Sequence, residues 1–143
     1  MAIAQAVCNS FKNELFLGEH DFSTQIFKIA LYTSAANLGA STTAYSATNE
    51  VVATSGVYTP GGQNLTVTAG YPQLDGSVSI ITFASVTWPS VTLTARGALI
   101  YNSSLSNKAV AVLDFGADKT ATNGSFVILF PAANSTTAIL RLS

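Results

Sequence analysis

The chain has 143 residues, enough for one domain whose core needs neither a disulfide nor a metal staple. Only 9 % of its residues are Asp, Glu, Lys or Arg, against roughly 25 % in an ordinary soluble domain, and the net charge is −1. With 48 % hydrophobic residues this excludes intrinsic disorder, and the scattered Lys and Arg leave no basic field to recruit nucleic acid. Ser and Thr number 33 and Ala 21. A surface made of such residues does not repel a neighbouring copy as charged groups do, so the composition points to lasting contact with other protein.

Residues 2–17 read as a helix. Ile3, Val7, Phe11 and Leu15 recur at steps of four, which lines them along one face. Ala2, Ala4 and Ala6 favour helix intrinsically, and Gly18 suits a left-handed stop. This unit, residues 1–18, stands ahead of the body. It either packs on the body or reaches a partner through Ile3, Val7, Phe11 and Leu15. It does not read as a secretion signal, since the first Lys is residue 12 and Gln5, Asn9 and Ser10 interrupt the apolar stretch. The single cysteine, Cys8, has no internal partner and reads as a small buried thiol of a protein made in a reducing compartment. No run reaches the ~18 apolar residues of a membrane span. Without a secretion signal, the Asn-x-Ser/Thr triplets at Asn64, Asn102, Asn123 and Asn134 are a by-product of Ser/Thr richness.

From residue 19 to 143 the chain reads as one β domain. Residues 25–33 alternate, with Ile26, Lys28, Ala30 and Tyr32 on one face and Phe27, Ile29 and Leu31 on the other. Residues 34–62 are small and polar, with one short strand near Val51. This long excursion either has a task or is an undecorated meander; Tyr45 and Tyr58 are its candidate partner contacts. Further strands are expected near 63–69, 77–86, 91–101, 108–115, 125–130 and 136–142. Turn-formers separate them, among them Gly70 with Pro72, Pro89, Asn123-Gly124 and Pro131 to Asn134. Strands at this interval predict a mainly β fold, an antiparallel β-sandwich, jelly-roll-like, of about seven strands with one N-terminal helix. Val110 and Val112 alternate with Ala109, Ala111, Leu113 and Phe115, so this strand is apolar on both faces. Something must cover its outside, either the helix or another subunit.

Little in the sequence speaks of chemistry. The one histidine, His20, lies between Glu19 and Asp21, but consecutive strand residues point to opposite faces and no second His or Cys pair completes a zinc set. A polar turn between helix and strand is the plainer reading. No serine sits in a Gly-x-Ser-x-Gly elbow, and no phosphate-binding glycine pattern appears. Asp114 and Asp118 straddle Gly116, which reads as a strand end with Lys119 as local ion partner; a calcium loop needs more carboxylates. Trp88, before Pro89, reads as a core anchor at a strand end, with an exposed sugar platform as the alternative. The expectation is a protein without catalytic residues, cofactor or metal.

Several stretches together resemble a known family. They are Phe27-Lys28-Ile29-Ala30-Leu31-Tyr32-Thr33-Ser34-Ala35-Ala36, Thr43-Ala44-Tyr45 with Thr48-Asn49-Glu50-Val51, Tyr58-Thr59-Pro60-Gly61-Gly62, Thr94-Ala95-Arg96-Gly97-Ala98-Leu99-Ile100-Tyr101-Asn102, and Lys108-Ala109-Val110-Ala111-Val112-Leu113-Asp114-Phe115-Gly116. From about residue 11 to the C-terminus they resemble a family of short virion structural proteins of tailed bacteriophages. The resemblance implies a virion part assembled in the host bacterial cytoplasm and carries no catalytic residues. Small size and the lack of a receptor-like appendage favour a capsid cement, or decoration, protein that forms homo-oligomers and staples the major capsid protein or other virion proteins. A tail, baseplate or fibre-attachment protein is the alternative. A carbohydrate-binding adhesin module using Trp88, Tyr71 or Tyr101 is the rival from another class. Neither nucleic acid nor membrane is expected as a partner.

Overall fold

The computed structural model describes residues 2–143. In chain order the elements are β1 (Ala6–Val7), α1 (Asn9–Phe16), β2 (Phe27–Tyr32), β3 (Gln63–Asn64), β4 (Gln73–Asp75), β5 (Val78–Ile81), β6 (Val86–Asn102), β7 (Lys108–Ile128) and β8 (Leu140–Leu142). The fold is mainly β, as the alternating pattern predicts. Two antiparallel sheets, ordered β1-β7-β6-β2-β3 and β4-β5-β8, form a sandwich-like arrangement with one short helix. Ile81 of β5 and Leu140 of β8 join the same core as β2, β6 and β7.

The long β6–β7 hairpin is the frame. Its half near the 103–107 turn is buried on both faces. From Gly97 to Asn102 on β6, and from Ala109 to Leu113 on β7, every side chain is inside. Both covers come from this chain. Because successive strand residues face opposite ways, Tyr101 points to the excursion, where its ring stacks on Tyr45 at a centroid distance of 4.8 Å. Asn102 points the other way, to His20 and the turn after α1. The two-sided apolar pattern is therefore explained without a second subunit. The other half of the hairpin alternates: on β6, Val86, Trp88, Val91, Leu93 and Ala95 are buried, with exposed or half-buried residues between them.

Several expectations are corrected. The helix spans Asn9–Phe16, not residues 2–17. The residues before it are extended, with Ala6 and Val7 registered on Val112 and Ala111, and Ile3 bridging Leu38. Helix propensity in Ala2, Ala4 and Ala6 gives way to an open edge of β7 whose backbone groups need partners. The Ile3 side chain packs where Gly97 has none; a Cβ there would meet Ile3 Cγ2 at 2.9 Å and the Leu113 carbonyl at 2.5 Å. Asn123-Gly124 is not a hairpin turn. Asn123 has φ 46° inside β7, at a break in register opposite Thr92, and turns and bulges both draw on the ease with which Asn takes positive φ. Pro89 likewise lies within β6, where the register shifts between Trp88 and Val91. Residues 136–142 contribute strand only at Leu140–Leu142. The excursion 34–62 is no free loop. It is tied to the sheet by bridges from Ala44 to Lys108, Glu50 to Tyr32 and Ser55 to Thr92.

Gly97→Ala should lower unfolding free energy by about 1–3 kcal/mol, the usual cost of overpacking. Urea denaturation checks this; an unchanged midpoint would contradict the packing of Ile3 on Gly97.

Candidate functional site

Three clusters concentrate the molecule's chemistry. The first is an apolar groove of about 350 Å³ between α1 and the smaller sheet. Phe11 and Leu15, one helical turn apart, form one wall with Val7. Phe22, Ile81 and Leu140 form the floor and the far side, and Leu142 and Pro72 close it. Phe22 is held flat by stacking on Phe27, with centroids 4.1 Å apart and planes within 4°. Lys12 and Arg141 stand at the groove, and no Asp or Glu is among its lining residues. Beside it, Phe16 is 94 % exposed and Leu17 64 %.

The second cluster is a polar knot beneath α1. Ser104 N–H donates to Asn102 Oδ1, which fixes the amide, so Asn102 Nδ2 donates to Gln25 Oε1 at 2.8 Å and to His20 Nδ1 at 3.1 Å. The imidazole proton then sits on Nε2 and points to Glu14 Oε1 at 3.1 Å. Lys108 pairs with the other Glu14 oxygen at 3.0 Å and with Glu19. Burial alone would raise the Glu14 carboxyl; the bonds from His20 and Lys108 outweigh it and hold the group below its ordinary value. The same carboxylates, Glu19 foremost, raise Lys108. His20 therefore fastens α1 to the sheet, and every polar atom of its ring has a structural partner. Burial, with the Glu14 charge second, pushes the Cys8 thiol up to about 11, as suits an inert buried group.

The third cluster ties the excursion to the sheet through Glu50. Its Oε1 accepts from Tyr58 Oη at 2.7 Å and from Gly61 N–H at 2.7 Å, and its Oε2 accepts from Tyr45 Oη at 2.6 Å. Tyr58 Oη in turn accepts from Leu31 N–H at 2.8 Å, and Tyr101 donates to the Gly61 carbonyl at 2.6 Å. Burial pushes Tyr32, Tyr45 and Tyr101 upward, Tyr101 to about 12; Glu50 adds to it, by its charge at Tyr32 and Tyr101 and first by its hydrogen bond at Tyr45. Burial also raises Tyr58.

The sequence candidates separate accordingly. Val7 and Leu15 are half-buried at the groove and Phe11 is buried in its wall, so these three are brought together. Ile3 is buried on Gly97, away from the groove lining. Tyr45 and Tyr58 are spent on Glu50, and Tyr58 is buried, so neither stands out as a contact. Trp88 is 2 % exposed and packs between Tyr58 and Phe126, as its reading as a core anchor requires. Tyr101 is equally buried, so neither ring offers a face to a sugar. Asp114 pairs with Arg96 at 3.0 Å, not with Lys119, because residues 115–118 bulge out opposite Arg96. Sequence reasoning missed Phe22, Ile81, Leu140 and Leu142, which reach the groove from distant segments. The one available signal for its rim was Phe16-Leu17, an apolar pair off the four-residue stripe.

Two pH effects follow. Glu14, depressed in the fold, contributes stability that is present above the ordinary carboxylate range and is lost as pH falls through its lowered value. Glu14→Gln should therefore flatten the fall of the urea midpoint below about pH 4.5; an unchanged slope would contradict the knot. The raised tyrosines work at the other end. Their contribution is complete below about pH 10 and declines as pH rises through their folded values. Glu50→Gln should cost about 1–2 kcal/mol, because three bonds to a charged acceptor become neutral ones and the Tyr45 hydroxyl must turn from donor to acceptor. Tyrosinate absorbance and urea melts check this; stability equal to the wild type would contradict the clamp. Among known proteins, no family model, no characterised protein and no solved structure matches this chain.

Proposed function

We propose that this chain is a non-enzymatic structural protein of a tailed-bacteriophage virion, acting as a capsid cement protein that binds and stabilises the shell. The observation that carries the proposal is where the few charged side chains go. Glu14 and Glu19 both bind Lys108, Arg96 binds Asp114, and Glu50 anchors the excursion. What faces outward is weakly charged and rich in Ser, Thr and Ala, with isolated apolar groups such as Phe16, Val52, Val57 and Leu129 well exposed. Such a surface suits burial against other subunits. Stable contacts of this kind cover roughly 1,200–2,000 Å².

The absence of spare chemistry supports the same reading. A general acid or base needs a proton-transferring group within reach of a substrate, whereas His20 is enclosed by Glu14, Asn102, Phe11 and Phe27. The virion assignment itself rests on the phage-like stretches of sequence.

Purified protein mixed with particles lacking it should bind at a copy number set by the shell lattice and raise the particles' thermal rupture temperature. Particle indifference would overturn the proposal. A copy number matching the tail symmetry would replace cement by a tail or baseplate role. Turnover of a substrate, abolished by His20→Ala or an acidic-to-amide change in a variant that still folds, would overturn the non-enzymatic reading.

A further inference from the structure

We propose that the groove between α1 and the smaller sheet is a self-association site, filled by Phe16 and Leu17 of a second copy of this chain. An aromatic side chain 94 % exposed beside an apolar groove is the starting observation. At 100° per residue, Phe16 stands about 40° round the helix from Lys12, outside the Phe11–Leu15 wall. It therefore flanks its own groove without filling it, and it is absent from the lining residues.

Charge selects the occupant. The groove presents Lys12 and Arg141 and no acidic side chain. The segment Phe16-Leu17-Gly18-Glu19-His20-Asp21 offers an exposed apolar pair followed by acids, of which Asp21 is exposed. Asp21 stays ionised, its carboxyl held below the ordinary range by hydrogen bonds from Ser23 and Thr24. Floor and cations on one copy thus complement apolar pair and carboxylate on another. The inserted pair and one wall of the groove with Lys12 both belong to α1 and the residue after it, so a two-fold axis beside the helix makes both insertions at once. The contact is then isologous and closes as a dimer. Leu142, exposed at the groove edge, adds apolar area to the same face.

This inference is independent of the virion assignment, and its test separates the two. Sedimentation velocity over a concentration series compares the full chain with Phe16→Ser, Lys12→Glu and, as control, Val57→Ser. The wild type should dimerise with a micromolar dissociation constant. Phe16→Ser should weaken this by roughly tenfold or more, with the urea midpoint of the monomer unchanged, because that side chain is almost fully exposed. Lys12→Glu should weaken it too, and added salt should weaken the wild type but not Lys12→Glu to the same degree. Val57→Ser should leave it unchanged. A chain monomeric at every concentration overturns the inference, as does a Phe16→Ser variant that dimerises like the wild type or a Val57→Ser variant that loses as much as Phe16→Ser. A monomer that still decorates particles overturns the dimer and leaves the cement reading standing; a groove-dependent dimer indifferent to particles does the reverse.

Discussion

The inner half of the β6–β7 hairpin is the constraint on which the rest depends. Its residues are apolar on both faces, and a single sheet can shelter only one unless something lies on the other. The chain covers one face with the excursion 34–62 and the other with α1, the turn after it and the smaller sheet. The excursion and the turn after α1 have little regular structure of their own, so apolar contact alone would hold them loosely. Each is fixed by a polar anchor instead: Glu50 under the excursion, and the Glu14–His20–Asn102 knot under the helix. Buried hydrogen bonds of this type add little net stability, but leaving one member unpaired is costly, which is how they select one arrangement.

That division of labour explains the charge economy. Glu14, Glu19, Glu50, Arg96, Lys108 and Asp114 act at joints between segments, while Lys12, Asp21, Asp118, Lys119 and Arg141 stay exposed. Lys108, at the start of β7, holds the acids at positions 14 and 19. Arg96 and Asp114 span the place where residues 115–118 leave the ladder. With about half of the few ions committed to joints, the exterior is left mostly to hydroxyls, methyls and amides, which suits long-lived contact with neighbours.

The sequence made the β class, the strand from Phe27 to Tyr32 with its two faces, and the burial of Trp88 legible, because alternation and an anchoring aromatic are local signals. It misled where a local preference met a distant demand. Ala2, Ala4 and Ala6 favour helix, yet the strand edge at Ala111 and Val112 claims them. Asn123-Gly124 has turn chemistry, yet the same positive φ serves a bulge in an unbroken strand. The groove was half visible. Its Val7–Phe11–Leu15 wall follows from spacing, although Val7 reaches it from a strand and not from the helix. Its floor is drawn from residues 22, 81 and 140, whose meeting no local pattern announces. His20 reads as part of a polar turn because its importance lies in a partner 82 positions away.

The pairing of Ala6 with Val112 also sets an order of events during synthesis. The segment around Ala6 precedes its β7 partner by about a hundred residues, and before β7 exists its backbone partners are confined to residues 38–40. Until then Cys8 lacks the Val110 carbonyl that holds its backbone N–H, and α1 lacks the strand it packs on. Closure of the amino-terminal edge must therefore come late, after the hairpin that receives it, so a nascent chain stalled before β7 would be a sticky fragment and not a smaller version of the finished domain.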